Sequence, residues 1–231
     1  MDSVKIHMAS TLAGFILDAC FGDPHFLPHP VRGIGNLISL SEKGIRSLFP
    51  KTEKGELAGG ALFVLLVLGI TAALSFGLWY AAAAAGNTAL FLAESVMVYF
   101  LLAARSLRDE SMRVYYSLRN GDVEEARRNV SMIVGRDTSV LDAQGIARAA
   151  VETVAENASD GVIAPLFYLA LGGPVLGWVY KAVNTMDSMA GYKNKKYFWF
   201  GRAAARLDDA ANFLPSRLSA LLMIAAAAVC R

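Results

Sequence analysis

Three acids, Glu152, Glu156 and Asp160, recur at intervals of four residues. On a helix that runs on through them, all three share one face. Like charges at that spacing repel each other. A cation such as Mg2+, or a basic partner, would relieve the repulsion. Mg2+ takes few carboxylates and completes its shell with phosphate oxygens and water. The plainer reading is a solvated acidic face paired with nearby arginines.

Three other stretches are as rich in reactive side chains. Asn184-Thr185-Met186-Asp187-Ser188-Met189-Ala190-Gly191-Tyr192-Lys193 mixes an acid, hydroxyls, a glycine and a lysine. Lys193 can meet a phosphate as a point charge, and Asp187 can hold a metal or orient an amine. Tyr192, Tyr197, Phe198 and Trp199 read instead as an interfacial aromatic belt. Further on, Arg202, Arg206 and Asp209 share a helix face, and Asp208 and Asn212 form a second pair four apart. Arginine suits bidentate phosphate or carboxylate binding, while ion pairing within one helix contributes little at a surface. Near the N-terminus, Gly22-Asp23-Pro24-His25-Phe26-Leu27-Pro28-His29-Pro30-Val31-Arg32 carries three prolines within seven positions. They exclude a regular helix, so His25 and His29 are not a helical metal pair. They stiffen a segment that presents Asp23, His29 and Arg32, or that simply leaves the membrane as a rigid turn.

The elements around these stretches are apolar. Of 231 residues, 55% are hydrophobic and 18% charged, with mean hydropathy +0.42, which points to the membrane class. Net charge is +2, from 22 basic and 20 acidic residues. No basic stripe interleaves with aromatics, so no nucleic-acid partner is expected. Cys20 and Cys230 lie in apolar surroundings and read as buried thiols, without zinc-type spacing. Residues 8–22 lack the flanks of a cleaved signal and read as a retained helix. A crossing needs about 20 apolar residues. Leu57–Tyr80 and Thr88–Ala104 qualify, Met8–Phe21 is shorter, and Leu218–Val229 is short for a crossing. Asp18 and Glu94 lie inside apolar segments, where an ionisable group is costly and a functional role or an interhelical hydrogen bond is expected.

Eight arginines in 105–160, seven basic residues in 181–217 and five in 23–56 place those blocks on the cytoplasmic side. The 105–160 stretch reads as a cytoplasmic helical insert. Asn120-Gly121 stops its first helix, Asp122 with Glu125 starts the second, and Ser139 with Asp142 repeats that pattern before the third. Between two cytoplasmic blocks, Val162–Val183 cannot cross once. Gly172-Gly173-Pro174 breaks it into halves of about ten residues, each too short to span. A re-entrant helical hairpin is expected, in an all-α polytopic membrane protein of one domain, 1–231.

Several motifs together resemble the adenosylcobinamide-phosphate synthase (CobD/CbiB) family of the cobalamin pathway. They are GDPHFLPHPVRGIG at 22–35, ARSLRDE at 104–110, ETVAENASDGVIAPLFY at 152–168, NTMDSMAGYKNKKY at 184–197 and FGRAAARLDDAANFLPSRL at 200–218. They run in family order over nearly the whole chain. Ala205 stands where a small hydroxyl residue is common. The resemblance also implies a further C-terminal membrane helix, which this chain is expected to lack.

The resemblance implies a multi-pass enzyme of the cell membrane, with its polar motifs facing the cytoplasm. Such an enzyme joins a carboxylate of adenosylcobyric acid to the amine of aminopropanol phosphate, or of a related amino-alcohol phosphate, driven by ATP with Mg2+. The corrinoid is substrate, not prosthetic group. On that reading Glu152, Glu156, Asp160 and Asp187 are catalytic. Glu152, Glu156, Asp160, Asp208 and Asp209 hold metal. Asp23, His29, Arg32, Asn157, Asn184, Lys193, Arg202, Arg206 and Asn212 bind substrate. The sequence contains no G-x-x-x-x-G-K-[ST] loop, so a P-loop is excluded as the ATP cradle. Two other readings stand beside it: a transporter with Asp18, Glu94 and the broken segment along its path, and a non-catalytic membrane scaffold of the corrinoid pathway.

Overall fold

A computed structural model describes residues 3–24, 29–135 and 137–229. The expectations touching His25, Arg136 and Cys230 fall outside the described residues. Within them every regular element is helical. In chain order these are α1 (Ser3–Phe21), α2 (Pro30–Leu48), α3 (Glu53–Ala84), α4 (Asn87–Tyr99), α5 (Ala104–Arg119), α6 (Val123–Ser131) and α7 (Ala143–Ala158). A π-helical turn (Ser159–Ile163), α8 (Ala164–Ala190) and α9 (Arg202–Val229) complete the chain.

Five stretches are long and apolar enough to cross a bilayer: Val4–Phe21, Glu53–Ala84, Asn87–Arg119, Ala143–Ala190 and Arg202–Val229. On α3, Leu62, Leu65, Leu74 and Phe76 point outward, as do Leu221, Leu222 and Ile224 on α9. A water-soluble protein rarely exposes so much contiguous apolar surface. The chain is a multi-pass membrane protein. Cys20 belongs to the same outward class. It is exposed, because Leu12, Ile16 and Cys20 follow at helical spacing on an outer face of α1, so the expectation of a buried thiol fails there.

The main core gathers Ile38 and Ile45 of α2, Phe63 and Val67 of α3, Leu101 and Leu102, Leu169 and Met186 of α8, and Phe200. Helix α2 is absent from the sequence reading, which took Arg32 as part of an extended segment. His29 is instead the N-cap of α2, Pro30 opens it, and Arg32 lies in its first turn. Ile34, Ile38, Ser41 and Ile45 bury one face of it. The 105–160 stretch folds around its own smaller cluster of Val114, Ala126, Val130, Ile146 and Ala149. Asp122 caps α6, accepting from the Glu125 N–H at 2.8 Å. The cap of α7 is Asp142, not Ser139, and it accepts from the Gly145 N–H at 2.7 Å.

Helix α8 is broken where expected. Gly172 and Gly173 leave helical geometry, and Gly173 has φ +67°, a region favouring glycine. Pro174 then starts the second arm, where its missing N–H costs nothing. The arms fold back on each other. Tyr168 stacks on Tyr180 with ring centroids 4.9 Å apart, and the Asn184 amide donates to Asp160 at 3.3 Å. They are unequal, roughly 12 and 25 Å along their axes, and the shorter one continues α7 through the π-helical turn without a loop.

The two isolated acids serve packing. Glu94 accepts from Ser10 at 2.6 Å and from the Trp79 indole at 2.8 Å, with His7 Nδ1 at 3.4 Å. His7 Nε2 donates to the Leu169 carbonyl at 3.0 Å, one of the carbonyls stranded by the break in α8. Asp18 accepts from the Ala104 N–H at 2.9 Å and so caps α5 from another helix.

Helix α3 reaches Phe200 through Gly60, where an added Cβ would lie 2.0 Å from the Phe200 carbonyl oxygen. Gly69 on the same helix has nothing within 4 Å of such a Cβ. Gly60→Ala is expected to cost about 1–3 kcal/mol and to lower the Tm in detergent by several degrees. Gly69→Ala is expected to be neutral or slightly stabilising. Equal melting of the two variants contradicts this packing.

Candidate functional site

The first cavity, about 480 Å³, opens between the end of α1, the start of α2 and α5. Asp23 is its anchor. Its Oδ1 accepts from His29 Nε2 at 3.2 Å, its Oδ2 accepts from the Ser106 hydroxyl at 3.0 Å, and its N–H donates to that hydroxyl at 3.2 Å. His29 Nδ1 accepts from the Val31 N–H at 3.2 Å, so the imidazole carries its proton on Nε2. Ser106 bonds to Asp23 and not to His29, which is not the order of a nucleophilic serine triad. Burial by itself would raise the Asp23 carboxyl. The hydrogen bonds from His29 and Ser106, with the Lys181 charge, outweigh it and hold the group below the usual aspartate range.

A second cavity, about 270 Å³, adjoins the first and shares Ala103, Ser106, Glu110 and Lys181 with it. Asn157, Asp160 and Asn184 line its other side. Its floor is fixed by the Ala103 N–H donating to the Gly161 carbonyl at 3.1 Å. The π-helical turn re-aims Asp160 here, a frequent use of such bulges.

Beyond Asp160 lies a group of acids held by α8 and α9. The Tyr180 hydroxyl donates to Asn212 Oδ1 at 2.9 Å, and the Asn212 amide donates to Asp208 Oδ2 at 3.0 Å. Asp208 Oδ1 is buried and accepts no hydrogen bond. Asp160 and Asp187 are both within electrostatic reach of Asp208, and Glu156 is within reach of both of them. Asp187 curls back over Gly191, where a Cβ would stand 1.9 Å from its Oδ1, so only glycine fits. Asp209 is within reach of Asp187 and lines a third cavity of about 280 Å³ with Lys193, Arg202 and Arg206. Arg202 also sits over the Trp199 ring, 5.6 Å from its centroid.

The residues singled out in the sequence therefore distribute over three neighbouring cavities rather than one. Asp23, His29 and Arg32 line the first, Asn157, Asp160 and Asn184 the second, and Lys193, Arg202, Arg206 and Asp209 the third. Glu156, Asp187, Asp208 and Asn212 lie between the last two. Glu152 stands apart. It pairs with Arg148 at 2.8 Å on an exposed face of α7, about 12 Å along the chain axis from Asp160, and lines none of these cavities. Among the described residues no three acid, histidine or cysteine side chains converge as a ready metal set.

Lys181, Ser106 and Tyr180 escaped the sequence reading. Lys181 carried a usable signal, since it is an ammonium within an apolar run. Ser106 and Tyr180 are ordinary in sequence and acquire their roles only through folding.

The profile of the CobD/Cbib protein family matches residues 11–231. The chain belongs to the CobD/Cbib family. Relatives named cobalamin biosynthesis protein CobD agree with this. The one from Geobacter metallireducens is 50% identical over 219 residues, 95% of this chain and 68% of the relative. That from Photorhabdus laumondii is 49% identical over 220 residues, covering 95% and 69%. That from Listeria monocytogenes is 47% identical over 222 residues, again 95% and 69%. No solved structure matches the chain. For this CobD-family protein the three cavities and the acids between them are the candidate site.

Because Asp23 is held below its ordinary range, its ionised form stabilises the fold. That contribution is whole above roughly pH 4 and is lost as pH falls through the lowered value. At neutral pH Asp23→Asn is expected to be less stable than wild type by about 1 kcal/mol. The gap should close on acidification, read as Tm against pH. A gap that stays constant from neutral to acid pH contradicts the assignment.

Proposed function

We propose that this protein catalyses ATP-dependent amide-bond formation between adenosylcobyric acid and aminopropanol phosphate, or a related amino-alcohol phosphate, giving adenosylcobinamide phosphate. The observation that carries this reading is the gathering, from four separate stretches of chain, of carboxylates and of cations with no ion pair among the described residues in neighbouring cavities. Amide formation needs both kinds of group. A carboxylate is a poor acylating agent, and transfer of the γ-phosphoryl group of ATP to its oxygen yields an acyl phosphate and ADP. The amine nitrogen then bonds to the acyl carbon, the carbon–oxygen bond to phosphate breaks, and a base takes the nitrogen's proton. Glu156, Asp160 and Asp187 are the carboxylates placed for that base. Lys193, Arg202 and Arg206 are placed for phosphate oxygens. Asn157, Asn184 and Asn212 hold the polar ends in register.

Mg2+ with ATP fits this site. It needs only one or two protein carboxylates with phosphate and water, and Asp208 Oδ1 is a buried oxygen with no donor. Asp208, with Asp160 or Asp187 beside it, would hold it, and when bound it would neutralise phosphate charge. Glu152, paired with Arg148, lies too far along α7 to join that set.

We place the polar cavities on the cytoplasmic side, beside the basic blocks. The α8 hairpin then enters the membrane and returns to the same side, its irregular backbone sheltered by His7. A transporter reading loses Glu94, which is consumed by Ser10 and Trp79.

Glu156→Gln and Asp187→Asn are expected to cut turnover by a factor of about 100 or more with unchanged melting, measured as amide product from corrinoid acid, aminopropanol phosphate and MgATP in detergent. Retained turnover in both, or no product from folded wild-type protein, contradicts the proposal. For the topology, a cysteine at position 193 in a protein with no other cysteine should resist membrane-impermeant reagents added outside intact cells. Ready labelling there contradicts it.

A further inference from the structure

Two cations on the wall of the first cavity have no ion-pair partner among the described residues, Arg32 and Lys181. The other arginines there are committed. Arg105 holds Asp109 at 3.2 Å and the carbonyls of Ala19 and Cys20 at 3.1 and 2.8 Å, and Arg113 holds Glu110 at 3.1 Å. Lys181 differs from Arg32 in its place. It rises from the second arm of α8, is half-buried and lines both the first and the second cavity. Asp23 is within its electrostatic reach on one side and Asp160 on the other. Neither acid forms a direct pair with it: Asp23 is bound by His29 and Ser106, and Asp160 by Asn184. An ammonium partly withdrawn from water without a direct counter-ion is costly, and an arriving anion offsets that cost.

The dimensions narrow what that anion belongs to. Cavities of about 480 and 270 Å³ accept a small polar molecule, while a corrin macrocycle with its nucleoside is far too large for either. The charges are mixed: Lys181 stands where the cavities meet, Glu110 beside it is already paired with Arg113, and Asp160 lines the second cavity. A short molecule with a phosphate at one end and an amine at the other matches that arrangement. Its phosphate would meet Lys181, and its amine would point toward Asp160 and Glu156.

We infer that Lys181 is the phosphate anchor of the amino-alcohol phosphate subsite, spanning the two adjoining cavities, and that it determines preference for the phosphorylated over the free amino alcohol. This rests on the reaction proposed above. Arg32 supports it from the outer lip of the first cavity. ATP is bound elsewhere, toward Lys193, Arg202 and Arg206.

The test is calorimetric titration of the purified full chain in detergent with three separate probes: aminopropanol phosphate, unphosphorylated aminopropanol and MgATP. Wild type is expected to bind the phosphate ester at least tenfold more tightly than the free alcohol. Lys181→Met should weaken binding of the ester at least tenfold and erase that preference, leaving the affinity for MgATP within about twofold. Lys181→Arg should keep the preference. Lys181→Gln, which retains a polar head, covers the case in which the methionine variant fails to fold. Wild type without a preference, a methionine or glutamine variant that binds the ester as wild type does, or a loss confined to MgATP, overturns the assignment. Binding without turnover would leave this subsite standing while sinking the proposed reaction. Turnover with an unchanged KM for the ester in the Lys181 variants would do the reverse.

Discussion

The reversal of α8 at Gly172 and Gly173 is the constraint on which the site depends. Asp160 and Asn184 are separated by enough chain to lie about 36 Å apart on one straight helix. The break brings them to 3.3 Å. Once folded back, the arms present Asp160, Lys181, Asn184 and Asp187 at one end of the hairpin. Tyr168 and Tyr180 then lock it to α9, through the Ala211 carbonyl at 2.9 Å and through Asn212 at 2.9 Å. The far end is held by His7, whose ring bonds the stranded Leu169 carbonyl. A single backbone irregularity therefore supplies the geometry, and polar contacts at both ends keep it.

Polar groups within the apolar helices are treated in two ways. At the level of His7, Ser10, Trp79 and Glu94 they satisfy one another, so the burial of Glu94 adds packing specificity rather than reactivity. Around the cavities satisfaction is incomplete. Asp208 keeps one buried oxygen without a donor, and Arg32 and Lys181 have no ion pair among the described residues. Asp18 resembles both groups, since one of its oxygens caps α5 and the other is unpartnered. Incomplete satisfaction is costly in a folded protein. Here it coincides with the space and charge pattern that a zwitterionic substrate requires.

Much of this was legible in the sequence because it is local. The cap of α6, the glycine–proline break and the long apolar run of α3 follow from residue types at short spacing. Helix α2 was missed because the prolines before it dominated the reading, although Ile34, Ile38 and Ile45 carried a helical period. The acid row misled for a different reason. Equal spacing suggested one shared face for Glu152, Glu156 and Asp160, but the π-helical turn re-aims Asp160 and Arg148 takes up Glu152. Lys181 lacked any motif around it. An ammonium within an apolar run was its one local signal, and its place where two cavities meet arises only on folding.

The fold-back itself can be measured directly. Spin labels at positions 162 and 185, in a protein with no other cysteine, report the distance between the two arms by pulsed electron paramagnetic resonance in detergent or nanodiscs. A hairpin predicts a separation near the short limit of that method. A narrow distribution centred near the roughly 35 Å expected of a continuous helix would contradict it, and the cavities that depend on the reversal would not exist.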